Sequence, residues 1–514
     1  MLFCLAIDAP LKRTHSEFIS GYLDDVGIGD TIPKLIEQVR LIEAAGLSIG
    51  LQLNHSKCEI IGLHESQKLL WDSSKLNFVV RPAEDAYLLG APLSLKETDI
   101  ALRQSLEQIQ KVKERLLKLS AHEAFFLLKC SLATPRLQYL LRTVPCFQSS
   151  EITRLDEEIC TILSSVLNLK LDGSSWTQAS LPVRWGGIGV RQPSTLAPSA
   201  FLASSSAAVP LVRSLLGTDP IFISNKLVND AATIWSNLSG TALPTGHVIF
   251  SQRVLDDGVS SAISNELLLH ADPVNGARLL ASLAPASGSW LQALPCSNLG
   301  LRLGNNELRI AVGLRLGASL VRAHKCVCGS EVEPNGHHGL SCRRSAGRHR
   351  RHVLANDVIL RAIRSLAVHA ELEPPRLLRG DGKRPDGATL DPWRNGRYLL
   401  WDFTCPDTLA RSHIRESSLA AGSVAGTAEA QKQIKYADLA ASGDFIFAPI
   451  AIESLGVWGP SALSICAEIG GRITSLTGDI RAFAFLKQRL GLAVQRGNAA
   501  AVVGTHPQGD IKEL

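Results

Sequence analysis

The sequence has no apolar run approaching the ~20 residues that a membrane span needs, and its opening, MLFCLAIDAP, lacks the basic start and small-residue cleavage site of a secretory signal. A membrane partner is therefore not expected, and an intracellular setting is. Aromatic residues are few, at 5%, but hydrophobic residues as a whole reach 45% against 20% charged, which excludes a disordered chain. The 11 cysteines are odd in number and mostly scattered, as reduced buried thiols would be, so a disulfide framework is excluded. No convincing internal repeat is present.

At 514 residues the chain has room for about three domains on a prior of roughly 150 residues each. Net charge is only +5, yet residues 321 to 400 hold 15 Lys and Arg against 8 Asp and Glu, and a window this basic fits a polyanionic partner.

Near the start, GYLDDVGIGD sets Asp24 and Asp25 between a β-favouring run (Phe18, Ile19, Tyr22, Leu23) and a return run VGIG, which predicts a hairpin with the acids at its tip. Asp suits a turn for backbone reasons alone, so an isolated pair would read as a solvated turn. Downstream, Ile32, Leu35, Ile36, Val39 and Ile42 recur at helical spacing, with Pro33 in the first turn and Gly46 as the stop. Strand-like GLQLNHSKCEIIG and YLLGAPLS follow. In this order the four features resemble the rear half of the palm of a reverse transcriptase of the non-LTR retrotransposon kind. The resemblance implies that Asp24, and less critically Asp25, are Mg²⁺ ligands of a two-metal polymerase, with Lys57 near the leaving group. That family places another essential Asp on an earlier strand, and only 23 residues precede Asp24 here. The resemblance thus implies an N-terminally truncated palm with an incomplete, inactive polymerase site; Asp8 is the nearby substitute, and its helical setting matches no catalytic strand.

To about residue 170 the chain reads as amphipathic helices, with Leu102, Leu106, Ile109, Leu116 and Leu117 on helical faces; by resemblance this is the thumb. LPVRWGGIGVR at 181 to 191 reads as a packed, Gly-broken turn rather than a ligand loop. Residues 200 to 320 are helical in pattern and poor in motifs.

The three clustered cysteines fall in CVCGSEVEPNGHHGLSC: Cys326, Cys328 and Cys342, with His337 or His338 as a fourth ligand. Zinc takes four such ligands in a tetrahedron. The first gap is one residue shorter than CxxC, but the glycines and histidines fall where a compact knuckle needs them. His338 gives the shorter loop to Cys342 and is preferred; His337 stays open. A basic run, RRSAGRHRR, then leads into a helix with Val353, Ile359, Ile363 and Leu366. GKRPDGATL puts Asp386 in a turn before a strand, and GRYLLWDFTCPD puts Asp402 inside an apolar strand, where an Asp is costly unless paired or bound to metal. AEAQKQIKYADLA is a helix with Glu429, Lys432 and Tyr436 on one face and Lys435 adjoining Lys432 at i, i+3.

Helix, strand with PD, strand with Asp, then helix with Lys is the plan of a PD-(D/E)xK nuclease, except that Thr404 stands where the usual Lys would be. This departure resembles the restriction-like endonuclease of site-specific non-LTR retrotransposons, in which the Lys has moved to the following helix and a Cys/His knuckle and an Arg-His motif precede the PD. The resemblance implies Asp386 and Asp402 as Mg²⁺-binding catalytic acids, Lys432 or Lys435 as the displaced Lys, and Arg351 and His352 as the Arg-His motif, with Arg348 and Arg350 alongside for DNA binding.

The expected fold is a mixed α/β and α multidomain chain. A partial reverse transcriptase palm spans 1 to 95, a helical thumb-like region 96 to 200, a helical connector 201 to 320, a zinc knuckle with a restriction-endonuclease-like α/β core 321 to 495, and a mobile tail 496 to 514. The expected activity is Mg²⁺-dependent nicking of DNA in the nucleus, with RNA as a further partner in the intact element. Its rival is a non-catalytic nucleic-acid-binding relic; a repair nuclease unrelated to retroelements is a third reading, weakened by the palm-like start.

Overall fold

The protein, seen in a computed structural model, is mixed α/β, 59% helical with small sheets, so a few short strands decide where chemistry-bearing side chains meet. The structure describes residues 2–216, 226–244, 249–345, 347–374 and 384–506. Gly382 and Lys383, ahead of the PD turn, and 507–514 of the expected tail lie outside the described residues. The chain divides into two compact units, 1–104 with 143–151 and 105–142 with 152–514.

In the first unit, β1 (Phe18–Tyr22) and β2 (Asp25–Gly29) pair antiparallel with Tyr22 opposite Asp25, which leaves Leu23 and Asp24 as the two-residue tip. Helix Ile32–Ser48 runs two residues past Gly46 and buries Ile32 and Val39 against Ile60 of β3 (Glu59–Ile61), Trp71 of helix Glu65–Ser73, and Leu76. β3 pairs in parallel with β4 (Val79–Arg81). β5 (Tyr87–Leu88) and β6 (Ala91–Pro92) close around Leu89 and Gly90, both at positive φ as a type I′ hairpin requires. The strand expected over GLQLN does not form. Asn54 Oδ1 accepts the Ser56 N–H and turns the chain into a 3₁₀ segment, His55–Lys57, so only Glu59–Ile61 is extended. The palm-like strands accordingly make three separate two-stranded sheets.

In the second unit, Leu106, Ile109 and Leu116 are buried as their spacing predicts, whereas Leu117 lies beyond the end of helix Leu95–Leu116 and is exposed. The turn at 181 to 191 is packed. A Cβ on Gly187 would fall 2.0 Å from the Leu181 carbonyl oxygen, Gln178 donates to Gly186 O at 3.0 Å, Arg315 to Gly187 O at 3.0 Å, and Trp185 Nε1 to Asp257 at 2.7 Å. One expectation is corrected in helix Pro193–Leu216. Its stretch Pro193–Ser214 is long and apolar enough to cross a membrane, although Ser and Pro interrupt it in sequence. It packs against helices Lys226–Ser239 and Gln252–Leu269.

After the small hairpin of β7 (His324–Lys325) and β8 (Glu331–Val332) comes a four-stranded sheet. Its strands are β9 (Ala370–Leu372), β10 (Gly387–Thr389), β11 (Tyr398–Thr404) and β12 (Phe445–Ala451), in the order β12-β11-β10-β9. Only β11 and β12 run parallel, so a helical crossover must join them, and it contains Ser423–Lys435 and Ala437–Ala441. Alternation along β11 sets its two faces. Leu399, Trp401 and Phe403 enter a core with Ile359 and Ile363 of helix Gly347–Arg364, Ile465 of helix Pro460–Thr477, and Leu490 of helix Ala482–Val503. Leu400 points the other way, into a cluster with Ala388, Tyr436 and Leu439. Asp402, two residues on, shares the Leu400 side and faces the crossover helix.

The mobile tail expected from residue 496 is also corrected. Over the described part of that stretch, helix Ala482–Val503 continues into it, with Asn498, Ala499, Ala501 and Val502 buried against helix Gly347–Arg364 and the knuckle. Its small residues look weakly hydrophobic in sequence, but they permit close approach of backbones. Ideal Cβ atoms on Gly339 and Gly347 would come within 2.9 and 2.3 Å of the backbone around Ala501.

Candidate functional site

Two clusters in the second unit carry chemistry. In the first, the β7–β8 hairpin presents Cys326 and Cys328 in a tight loop closed by Gly329 N–H to Cys326 O at 2.7 Å, with Gly329 at φ 90°. The one-turn helix His338–Ser341 brings His338 and Cys342 over that loop. Cys326 Sγ lies 3.7 Å from Cys342 Sγ, Cys328 Sγ lies 3.2 Å from His338 Nε2, and all four ligand atoms fall within 4.8 Å of one another. This Cys₃His group could hold a metal ion such as zinc, whose tetrahedron wants such soft and borderline ligands. The short Cys-x-Cys gap is accommodated by the Gly turn. His337 does not join: its Nε2 is buried without a partner, and burial holds its pKa down. Hydrogen bonds from Ser330 lower the Cys328 thiol towards the thiolate that a metal would bind.

The second cluster lies at the end of β10 and β11. Gly387 is opposite Trp401, so continuing the register by one residue sets Asp386 opposite Asp402. Asp386 Oδ2 is fully engaged, accepting from Phe403 N at 2.7 Å and Asn356 Nδ2 at 3.1 Å, with His352 Nε2 at 2.8 Å. Asn356 is itself oriented without ambiguity, because the Trp401 indole N–H can only donate and takes Asn356 Oδ1 at 3.0 Å. Burial pushes the Asp386 carboxyl up, but the His352 and Asn356 hydrogen bonds outweigh it and hold the group below the ordinary carboxylate range. Asp402 moves the other way. Burial, then the Asp386 charge, raise it against the pull of Lys432. Lys432 Nζ stands 2.6 Å from Asp402 Oδ1, an ion pair at a carboxylate that is almost fully buried. The hydrogen bond with Asp386 raises the His352 imidazole above its usual value.

The structure thus brings together Asp386, Asp402, Lys432 and His352, and it separates the two lysines. Lys435 lies over the Tyr436 ring, 4.6 Å from its centroid, rather than at the carboxylates. Of the arginines expected to grip DNA, Arg351 is corrected. It is 1% exposed and clamps the knuckle to the C-terminal helix, donating to Leu340 O and Asn498 Oδ1 at 2.8 Å each. His352, expected beside it at the DNA, instead reaches Asp386. Arg348 is exposed, and the exposed Arg350 lies 3.7 Å from Glu307. Sequence reasoning missed Asn356 and the hydrogen-bonding role of Tyr436, whose hydroxyl donates to Arg384 O at 2.6 Å. The i, i+4 spacing of His352 and Asn356 was the available signal.

In the first unit, Asp24 and Asp25 sit at the exposed hairpin tip. Leu23 holds φ 56°, a left-handed conformation costing a residue with a Cβ about 1–2 kcal/mol. Asp8 is on helix Leu2–Leu11, paired with Lys12 at 2.6 Å, and Lys57 is exposed. No third ligand joins the hairpin acids: among the described residues, the only group of three or more His, Cys, Asp or Glu set to hold a metal is the Cys₃His cluster. Neither family models nor curated proteins give a match to this chain, so its function must be read from the geometry of these sites.

Proposed function

We propose that the second unit is a Mg²⁺-dependent DNA-nicking endonuclease of the PD-(D/E)xK kind, and that the chain as a whole is a retrotransposon-type polyprotein segment. The observation that carries this is the amine of Lys432 at 2.6 Å from Asp402, with Asp386 across the strand pair. The oxygen-only donor set of the two acids fits Mg²⁺. When bound there, the ion would lower the pKa of a water and polarise the phosphate. The chain's own groups do the rest. Three donors hold Asp386 by Oδ2, which leaves Oδ1 for the ion, and Lys432 supplies positive charge where the leaving oxyanion develops. His352, held by Asp386, is placed to carry a proton at Nε2. The exposed Arg343, Arg344, Arg348 and Arg350 give the basic rim along which phosphates run.

The hairpin of the first unit is proposed as a polymerase palm element without activity, because Asp24 and Asp25 lack a third carboxylate among the described residues. No primer extension on an RNA template is expected; extension that vanishes in Asp24→Ala would overturn this. For the nuclease, the full chain is incubated with supercoiled DNA and Mg²⁺. Asp402→Asn keeps size but removes the charge, so nicking should be lost while DNA binding persists. Equal nicking by wild type and variant, or none by a folded, zinc-loaded protein, leaves a binding role as the better account.

A further inference from the structure

Beside the carboxylates lies an open cavity of about 340 Å³ that the nicking chemistry leaves unused. It adjoins the site on two sides. Thr404 follows Asp402 at i+2 on β11, and Ala428 and Gln431 come from the helix turn that carries Lys432. The opposite wall is Arg348 and Arg351, one turn apart on helix Gly347–Arg364, and Asp407 and Glu416 complete the lining.

The charge on Arg351 is the informative feature. Its two Nη groups meet only neutral carbonyl oxygens, those of Leu340 and Asn498, and its Nε is buried without a partner. A buried guanidinium with no ion pair of its own favours an anion beside it, and the exposed Arg348 adds a second positive charge to the same lining. Such a pair suits a phosphate. The acids suit something else. Asp407 Oδ1 is taken by Ser454 Oγ at 2.7 Å and Leu409 N at 3.2 Å, which leaves Oδ2, while Glu416 is exposed. Carboxylates so placed accept from N–H donors such as the exocyclic amine of a base.

We infer that this cavity is a nucleotide subsite, taking one deoxynucleotide next to the scissile phosphodiester with its phosphate at Arg348 and Arg351 and an amino-bearing base at Asp407 and Glu416. Its link to the scissile bond rests on the nuclease reading, but binding needs neither Mg²⁺ nor cleavage. Equilibrium dialysis of the full chain without added magnesium, using radiolabelled dCMP, dTMP and inorganic phosphate, tests it. One dCMP should bind about tenfold or more tighter than either phosphate or dTMP, whose O4 offers only an acceptor. Thr427→Trp, which plugs the exposed mouth, and Arg348→Glu should each abolish that binding with the unfolding midpoint unchanged. Asp402→Asn should retain it while nicking is lost. The subsite is overturned if dCMP binds no tighter than phosphate, or if its binding survives Thr427→Trp. Nicking without dCMP binding keeps the nuclease and removes the subsite; dCMP binding without nicking does the reverse.

Discussion

Replacing Glu429 by Ala should destabilise the second unit more than any surface change, and the reason is a missing cap. Helix Pro460–Thr477 begins at Gly459, which has no side chain with which to satisfy the first-turn N–H groups. Glu429, thirty residues earlier in the chain, does so instead: its carboxylate accepts from Ser461 N at 3.0 Å and Ala462 N at 2.9 Å, and more weakly from Ala451 N at 3.4 Å at the end of β12. Gly459 must be glycine for this, since a Cβ there would lie 2.2 Å from the carboxylate. Deleting the carboxylate leaves two well-formed bonds without an acceptor, at about 1–3 kcal/mol each, so a total near 4 kcal/mol is expected. Glu429→Gln retains one acceptor oxygen and should cost about half as much. Because burial raises this carboxyl, the sign of its pH dependence is fixed: the stability it contributes is fully present below the unfolded-state pKa and lost as pH rises through the folded one. The gap between wild type and Gln should therefore narrow on going from acidic to neutral pH. Urea unfolding followed with amide exchange at Ser461 and Ala462 is the assay. If Glu429→Ala shifts stability by less than about 1 kcal/mol with those amides still protected, the capping role is refuted.

Zinc should bind at one per chain, and Cys326→Ser with Cys342→Ser should lose it and expose the Gly339 contact with the C-terminal helix; equal zinc in wild type and variant by elemental analysis would sink the assignment. His122 is buried with Nδ1 accepting the Leu303 N–H at 3.0 Å, and burial, then Arg496, hold it down to about 4. The unfolded chain binds that proton near 6.5 and the folded one does not. About 3 kcal/mol should therefore be lost as pH falls from 6.5 to 4, a slope absent from the unfolding midpoints of His122→Gln. Arg348→Ala should reduce the slope of log DNA affinity on log salt by about 1 with stability intact, whereas Arg351→Met should also lower stability, because its guanidinium holds Leu340 to Asn498; an unchanged slope in Arg348→Ala would remove it from the DNA interface.

Several features of both clusters were legible in the sequence because they depend on short-range geometry. Hairpin chemistry placed Asp24 at a tip, the loop length between His338 and Cys342 selected the histidine that joins the cluster, and the apolar run around Asp402 put it inside a buried strand. The 3.6-residue period likewise set Glu429, Lys432 and Tyr436 on one face, though it could not say what that face would meet.

What the tertiary structure alone decided involves partners far apart in the chain. Lys432 rather than Lys435 reaches Asp402 because the crossover helix lies on the sheet with one particular rotation, fixed by Leu400, Tyr436 and Leu439 packing together. Arg351 looks like its exposed neighbours in a basic run, yet it is buried, since helix Ala482–Val503 returns across it with Asn498. That helix itself was hidden as a tail, because Ala and Gly contribute by allowing backbones to approach closely, and closeness to Gly339 and Gly347 is a property of the assembled unit. Local spacing determined which residue types stand near one another as candidate metal ligands. The pairing of those residues came from packing between segments that no short pattern connects.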